Sequence, residues 1–304
     1  MRAAVFDEYG PPAVLRIAEL PDPVPGPGEV LVRVRAAGVQ PFDVAVRRGT
    51  MPWVQAKFPQ QSGQEYAGVV EAVGEGVDSL APGDEVLGST MLNGVAELLT
   101  VPAANVVAKP GSLDFPTAAG LVAASQTASG ALLELGVTSG DVLLVHAGAG
   151  SVGTIAIQLA RLAGATVIGT ASAGNHDYLR QLGAVGVPYG SELIEAVTGS
   201  GLKPTVALDA AGGEAIAQSI ALGIAPERIG TIVDDKAAAE HGASVVRAGR
   251  SPERLAGVIA LAAAGTVVMP VRAYPFEEVV AAHAAVESRH GRGKVVLTFA
   301  GQRR

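Results

Sequence analysis

Apolar and polar positions alternate from residue 29 onward: Val30, Val32 and Val34 fall on one face, Leu31, Arg33 and Arg35 on the other. A period of two predicts a strand with one buried face, here over 29–36. Apolar runs at 3–6, 66–73, 85–88 and 95–101 predict further strands, so the chain to about residue 110 reads as β-rich with many turns. Between the first two strands, Pro21-Asp22-Pro23-Val24-Pro25-Gly26-Pro27-Gly28 fixes φ and removes donors, which makes a stiff extended connection. Pro82-Gly83-Asp84 marks a turn. The stretch 51–64 has no clear period and reads as a loop with a short helical turn. From Thr117 the pattern changes. Residues 118–135 are small, apolar and helix-like, and from 141 strands and helices alternate. Strands are predicted at 141–146, 165–170, 205–209, 228–233 and 266–269, with a weak one at 185–187. Helical spacing falls at 154–162, 175–182, 192–197, 214–222 and 252–264. This order predicts an α/β fold with a parallel, right-handed doubly wound sheet covered on both faces. The stretch 277–299 gives one helix and a strand at 294–299, and this end of the chain can return to the first domain.

One turn in this alternation carries chemistry. Gly148-Ala149-Gly150-Ser151-Val152-Gly153 follows the strand at 141–146 and opens the helix at 154–162. In that context G-x-G-x-x-G is a dinucleotide-binding fingerprint. Gly148 is expected to permit the tight turn, Gly150 to leave room for a pyrophosphate, and Gly153 to let helix and strand pack closely. The helix N-terminus offers free N–H groups and a positive dipole end to phosphates. The alternative is an ordinary strand–turn–helix.

Composition narrows the partners. The 304 residues suit one large or two medium domains, and a net charge of -7 argues against nucleic acid or an anionic membrane as a partner. With no cysteine there is no disulfide, no thiolate nucleophile and no cysteine-bound zinc. The N-terminal residues lack a signal-peptide core, and the best apolar run, 257–271, is interrupted by glycines and a threonine, so the expected location is cytoplasmic.

Five stations in order resemble the medium-chain dehydrogenase/reductase superfamily in its zinc-free quinone oxidoreductase branch. They are Ala36-Ala37-Gly38-Val39-Gln40-Pro41-Phe42-Asp43, Tyr66-Ala67-Gly68-Val69-Val70-Glu71-Ala72-Val73-Gly74, Pro82-Gly83-Asp84-Glu85-Val86, the glycine turn, and His290-Gly291-Arg292-Gly293-Lys294-Val295-Val296-Leu297. The resemblance implies a GroES-like β-barrel catalytic domain (1–117 and 270–304) with a Rossmann NADP-binding domain (118–269) inserted into it, and a homodimer. Zinc-dependent relatives carry Cys and His where this chain has Gln40 and Gln64, and they have a four-cysteine lobe that is absent here. Neutral amides are poor zinc ligands, so no metal is expected. Quinone reductases usually have Asn at the position of Gln40, and often Tyr where Ala45 stands.

The resemblance also nominates residues. Gln40 corresponds to an amide near the nicotinamide and the substrate carbonyl, and is the one candidate catalytic residue; the alternative is a turn-stabilising surface glutamine. Asp43 orients the pocket or caps a helix. Thr127 matches a threonine beside the nicotinamide, or is buried and bonded to its own helix. Trp53 and Tyr66 are candidate walls of a substrate pocket, with plain core as the alternative. His146 reads as a satisfied buried histidine rather than an acid, and His283 and His290 as helix-surface positions. The cofactor-binding set is Gln40, Thr127, Gly148, Ala149, Gly150, Ser151, Val152, Gly153, Ser172, Asn175, His176 and Tyr189. No acid ends the strand at 165–170, which favours NADP(H) over NAD(H), and Tyr189 falls where related reductases place a tyrosine near the 2′-phosphate. The expected activity is NADPH-dependent hydride transfer to a quinone or an α,β-unsaturated carbonyl compound, without zinc. The alternatives are an enoyl reductase for a polyketide-type intermediate and a non-catalytic NADPH-binding sensor or structural protein.

Overall fold

In a computed structural model that describes residues 1–247, 249–288 and 291–300, the chain divides into two compact units. Residues 1–123 and 251–304 make the first, and 124–250 the second.

The first unit is β-rich. Its strands before the insertion are β1 (Arg2–Phe6), β2 (Leu15–Glu19), β3 (Glu29–Val39), β4 (Gln60–Gln61), β5 (Glu65–Val73), β6 (Glu85–Ser89), β7 (Leu98–Pro102) and β8 (Val106–Ala108). A helix, α1 (Pro41–Arg48), follows β3, and α2 (Phe115–Glu134) follows β8. The alternation that predicts β3 is the one observed: Val30, Val32 and Val34 are buried, while Leu31, Arg33 and Arg35 are partly exposed. This strand organises the unit, because it pairs antiparallel with β5 and β7. Two glycines permit the close pairing with β5. A β-carbon at Gly68 would overlap the Arg33 carbonyl, and one at Gly38 would overlap the Glu65 carboxylate. In the 51–64 stretch the expected helical turn is replaced by an irregular path with a turn at Pro52-Trp53, a cis Phe58–Pro59 bond and β4.

The second unit alternates as expected. Its elements are β9 (Val142–His146), α3 (Ser151–Leu162), β10 (Thr166–Thr170), α4 (His176–Gln181), β11 (Val185–Val187), α5 (Leu193–Gly199), β12 (Val206–Asp209), α6 (Ala215–Ala221), β13 (Ile229–Thr231), α7 (Asp235–His241) and β14 (Ser244–Val245). The six strands are parallel in the order β11-β10-β9-β12-β13-β14. The order reverses at β9, the strand that feeds the glycine turn, and such a switch point is where doubly wound sheets bind ligands. Leu144, Ile168, Ala207 and Ile229 from neighbouring strands form one core with residues of α5, α6 and α7.

The chain then completes the first unit with α8 (Pro252–Ala263), β15 (Val271–Pro275), α9 (Val279–Glu287) and β16 (Lys294–Thr298). β16 lies between β15 and β3, so the return strand closes the sheet begun by the N-terminal part. The strand expected at 266–269 does not form. Val267 and Met269 are buried there in irregular chain, and the strand that follows, β15, pairs in the first unit's sheet. A short apolar run bounded by Gly265 and Pro270 has the composition of a buried strand but joins none of the sheets among the described residues. The contacts therefore end the second unit at 250, whereas the sequence pattern extends it to 269.

Candidate active site

The glycine turn is built by three different constraints. The left-handed residue that turns the chain out of β9 is Ala147, with φ 57°, and its N–H donates to Thr170 Oγ1 at 3.0 Å. The tight turn thus falls one residue before Gly148. Gly148 is needed for packing: a β-carbon there would sit 3.2 Å from Gly169 Cα and 3.2 Å from Leu179 Cδ2. At Gly153 it would lie 2.5 Å from the Ala147 carbonyl oxygen and 2.7 Å from Gly148 Cα, so this glycine sets how closely α3 packs on the turn. At Gly150 an added β-carbon would meet, among the described residues, only the Ala147 carbonyl oxygen at 3.3 Å, which leaves that side of the loop open. Gly150 is the N-cap of α3 and supplies no side chain to it, so Ser151, Val152 and Gly153 begin a helix whose first N–H groups no cap side chain satisfies. An open cradle at such a helix start fits a pyrophosphate.

The end of β10 lies next to this turn, through the Thr170 contact. Ser172 is exposed and follows it, and Asn175 Nδ2 donates to Ser172 Oγ at 3.2 Å. His176 is tied at Nε2 to the Ala171 carbonyl, 3.0 Å away, which leaves Nδ1 as its other ring nitrogen. The first acid beyond the strand, Asp177, is paired with Arg180 in α4. Tyr189 is exposed and starts a short turn after β11. Thr127 is half-buried in α2.

Deeper in the second unit, strand ends carry buried polar groups that the sequence did not single out. Asp209 accepts from the N–H groups of Ala211 and Gly212, both at 2.8 Å, and from Thr231 Oγ1 at 2.7 Å. Thr231 in turn accepts from the N–H groups of Val233 and Asp234. The loops after β12 and β13 are pinned by these two side chains. His146 is buried and within 2.9 Å of Ser219 Oγ, whose own proton goes to the Ala215 carbonyl, so the histidine donates through Nε2. Burial pushes its pKa down to about 4 against the pull of Asp209. It is a satisfied neutral core residue, as its place in the strand predicts.

In the first unit the two glutamines meet. Gln40 Nε2 donates to Gln64 Oε1 at 2.8 Å, and Gln64 Nε2 approaches Met91 Sδ at 3.6 Å. Gln40 is the N-cap of α1, with Pro41 in the first turn. Asp43 is therefore the third helical residue rather than the cap. Its Oδ2 accepts from the Gln40 N–H at 3.0 Å, while Oδ1 has no hydrogen-bond partner among the described residues. Burial pushes its pKa up to about 7, opposed by the positive charge of Lys294 and by the Gln40 N–H. Below it lies a buried ion pair between Glu65 and Lys294, and Glu65 Oε2 also accepts from the Ala123 N–H at 2.6 Å. Glu65 stands inside the Gly-Gln-Glu triplet and Lys294 inside the last sequence station, but no local pattern shows that two residues so far apart form a pair.

Two expectations are corrected here. Tyr66 lines no open pocket: it is fully buried in the barrel core and its hydroxyl lies against Gly88, so burial pushes its pKa up. His283 is not on the surface. It is fully buried because α9 packs against β16, β3, β2 and α1, and its pKa is pushed down to about 3 by burial and by the Arg47 guanidinium. His290 lies outside the described residues. Trp53, by contrast, is exposed and packs on Phe42 with ring centroids 5.3 Å apart.

Residues 26–111 match the family described as alcohol dehydrogenase GroES-like domain, and 194–297 the family described as zinc-binding dehydrogenase. The zinc of the latter name does not fit this chain, since Gln40 and Gln64 bond to each other and no group of three or more His, Cys, Asp or Glu among the described residues is arranged to hold a metal. Among similar proteins, an NADPH-dependent alkenal/one oxidoreductase of Arabidopsis thaliana chloroplasts is 32% identical over 98% of this chain and 79% of its own length. A quinone oxidoreductase of Lama guanicoe is 38% identical over 56% of this chain, which spans about half (52%) of that protein. Among solved structures, the quinone oxidoreductase of Coxiella burnetii superposes with a TM-score of 0.88 at 30% identity, covering 98% of this chain and 99% of that one. The CurK enoyl reductase gives 0.85 at 27% identity, covering 98% and 99%.

Proposed function

Because the chain belongs to the medium-chain dehydrogenase/reductase superfamily, in its quinone oxidoreductase branch, we propose that it is an NADPH-dependent reductase of quinones or α,β-unsaturated carbonyl compounds that works without zinc. The observation that carries this reading is the Gln40–Gln64 hydrogen bond: where zinc-dependent relatives carry a Cys and a His, this chain has two neutral amides bonded to each other. Gly148, Ala149, Gly150, Ser151, Val152 and Gly153 would hold the pyrophosphate, and Ser172, Asn175, His176 and Tyr189 the 2′-phosphate. The resemblance assigns Thr127 and Gln40, each considered within its own unit, to contacts with the nicotinamide. The bound nicotinamide supplies the hydride. Gln40 has two amide N–H groups and gives one to Gln64, so the second can hold the acceptor's carbonyl oxygen as negative charge develops on it. Asp43 fixes the backbone that presents this amide, by taking the Gln40 N–H.

A second reading is supported by the similarity to the CurK enoyl reductase: reduction of an enoyl intermediate of polyketide type. The test is NADPH consumption with a panel of quinones, free enones and enoyl thioesters. Turnover of quinones or enones supports the first reading, and turnover of thioesters alone the second. Cofactor binding with no turnover on any acceptor rejects both in favour of a binding protein. A homodimer and a cytoplasmic location belong to the same proposal. The edge strand β14, with Val245 exposed, is the edge that a second copy would pair with.

A further inference from the structure

The amide pair in the first unit does not end at Gln64. Gln40 Nε2 donates to Gln64 Oε1 at 2.8 Å, and Gln64 Nε2 in turn donates to Met91 Sδ at 3.6 Å. The donors run one way and stop on a thioether, which is a weak acceptor. Gln64 is buried, whereas Met91 is 59% exposed. A solvent-accessible methionine thus terminates a buried chain of hydrogen bonds.

The backbone holds this methionine in place. The loop after β6 is tied to the residues just before β5 at both of its ends. The Thr90 N–H donates to the Gln64 carbonyl at 2.9 Å, and the Gly94 N–H to the Gly63 carbonyl at 3.1 Å. Thr90 Oγ1 also donates to Asn93 Oδ1 across the loop. Met91 cannot leave Gln64 by a loop movement without breaking these bonds. The other methionines are less open: Met269 is buried, Met1 and Met51 are half-buried, and Met51 packs on the barrel core. Met91 is therefore the methionine that an oxidant in solution meets first.

Oxidation would change the end of the chain. A hydroperoxide transfers one oxygen atom to the sulfur: its O–O bond breaks, an S=O bond forms, the sulfur loses two electrons, and the peroxide leaves as water or an alcohol. The product is a polar sulfoxide, whose oxygen is a strong acceptor where the thioether was a weak one. The three rotatable bonds of the side chain let that oxygen turn to the Gln64 N–H. A stronger acceptor at one end of a hydrogen-bond chain polarises the bonds before it. Gln64 Oε1 then draws the Gln40 N–H more strongly, which leaves the second Gln40 N–H a poorer donor.

We propose that Met91 is a reversible oxidation site, with a hydroperoxide as the oxidant, and that its sulfoxide lowers turnover through Gln64 and Gln40. The effect on turnover rests on the reductase reading; the modification and its effect on the Gln64 amide do not.

The full-length protein is treated with limiting hydrogen peroxide, and its methionines are followed by peptide mass spectrometry. Met91 sulfoxide is expected well ahead of the sulfoxides of Met51 and Met269. In isotopically labelled protein the side-chain amide signal of Gln64, identified by its absence in Gln64→Glu, moves as Met91 is oxidised. In the same samples kcat falls about two- to five-fold, the size expected when one hydrogen bond to the acceptor is weakened by a fraction of its strength. Methionine sulfoxide reductases for the two epimers restore both the signal and the rate. Met91→Leu, compared with its own untreated rate, keeps that rate under the same peroxide. Oxidation of Met51 or Met269 ahead of Met91, an unmoved Gln64 signal, an unchanged kcat once Met91 is fully oxidised, or an equal loss in treated Met91→Leu overturns the proposal. A protein with no turnover on any acceptor before treatment rejects the reductase reading, and the site then stands or falls on the order of oxidation and the Gln64 signal.

Discussion

The side-chain amide of Gln40 donates to that of Gln64 across 2.8 Å, joining the N-cap of α1 to the residue just before β5. Neither amide is a competent ligand for a tetrahedral metal site, and each already has a partner. Activity is therefore expected to survive exhaustive dialysis against a chelator. Loss of activity on chelation, with recovery on adding zinc, would reject the zinc-free assignment. Gln40→Ala removes the donor proposed to hold the acceptor's carbonyl oxygen, so it should lower kcat even at saturating NADPH. The measurement is steady-state kinetics alongside cofactor titration.

The glycine turn separates binding from folding. Gly150 has ordinary backbone angles, φ -71° and ψ 170°, and its missing side chain faces only one carbonyl, which need give by only a few tenths of an ångström. Gly150→Val should give a folded protein that no longer binds NADPH. Gly153→Val should not fold, since its β-carbon would collide with Ala147 and Gly148. Circular dichroism and cofactor titration check the pair, and unchanged NADPH affinity in folded Gly150→Val would falsify the phosphate-site placement.

The same turn shows where sequence reading reaches and where it stops. The fingerprint was legible because its spacing is local, yet the residue that takes the left-handed conformation is Ala147, which no glycine rule points to. The strand β3 was legible because alternation is also local. Helix α1 was not, because its short run of apolar residues begins at Pro41 under a glutamine cap, which is a weak start signal. Residues 266–269 misled because an apolar run records burial, not pairing. Glu65–Lys294 and His283–Arg47 depend on chain segments more than 200 residues apart, so nothing in either neighbourhood announces them.

The buried pair Glu65–Lys294 gives a stability prediction. Both side chains are within 3% of complete burial, and a β-carbon added at Gly120 of α2 would lie 3.3 Å from the lysine Cγ, so the glycine leaves room for the lysine stem. Lys294→Met keeps the stem but leaves Glu65 charged and unpaired in the interior. The expected loss is about 3–5 kcal/mol, read as a lower urea midpoint. The double variant Glu65→Gln with Lys294→Met should recover part of it, because no uncompensated charge remains.

His283 sets an acid limit. Its ring nitrogens have no hydrogen-bond partner among the described residues, and Arg47 makes a second positive charge unwelcome. The folded-state pKa is pushed down to about 3. In the unfolded chain histidine titrates near its ordinary value, about 6.5. Between these two values the unfolded state holds more protons, so stability falls as pH drops below about 6.5. By pH 5 this amounts to about 2 kcal/mol. His283→Leu should blunt that fall while changing stability much less at pH 8. Denaturation midpoints at the two pH values test it, and a parallel shift at both would sink the explanation. His146, pushed down to about 4, adds to the same acid loss and remains in the variant, so the fall is reduced and not abolished.

The last prediction concerns the choice between the two nicotinamide cofactors. A carboxylate at the end of the second strand would bond a ribose 2′-hydroxyl and repel a 2′-phosphate. At that place the chain has Ser172, exposed and bonded to Asn175, and the first acid beyond it is neutralised by Arg180. Tyr189 is open to solvent after β11, the strand that pairs with β10. His176 is held through Nε2, so Ser172, Asn175 and Tyr189 supply most of the donors. A hydrogen bond to a charged group contributes roughly 1.5–3 kcal/mol. One such net bond favours NADPH over NADH by about ten- to a hundred-fold, and a second raises this further. The absence of an arginine or lysine between 171 and 176 keeps the preference below that of a guanidinium clamp. Ser172→Asp should cost NADPH affinity far more than NADH affinity, because it restores the repulsion and leaves a 2′-hydroxyl acceptor in its place. Titration of both cofactors into both proteins is decisive. Equal losses, or a wild-type preference for NADH, would remove the 2′-phosphate from this strand end.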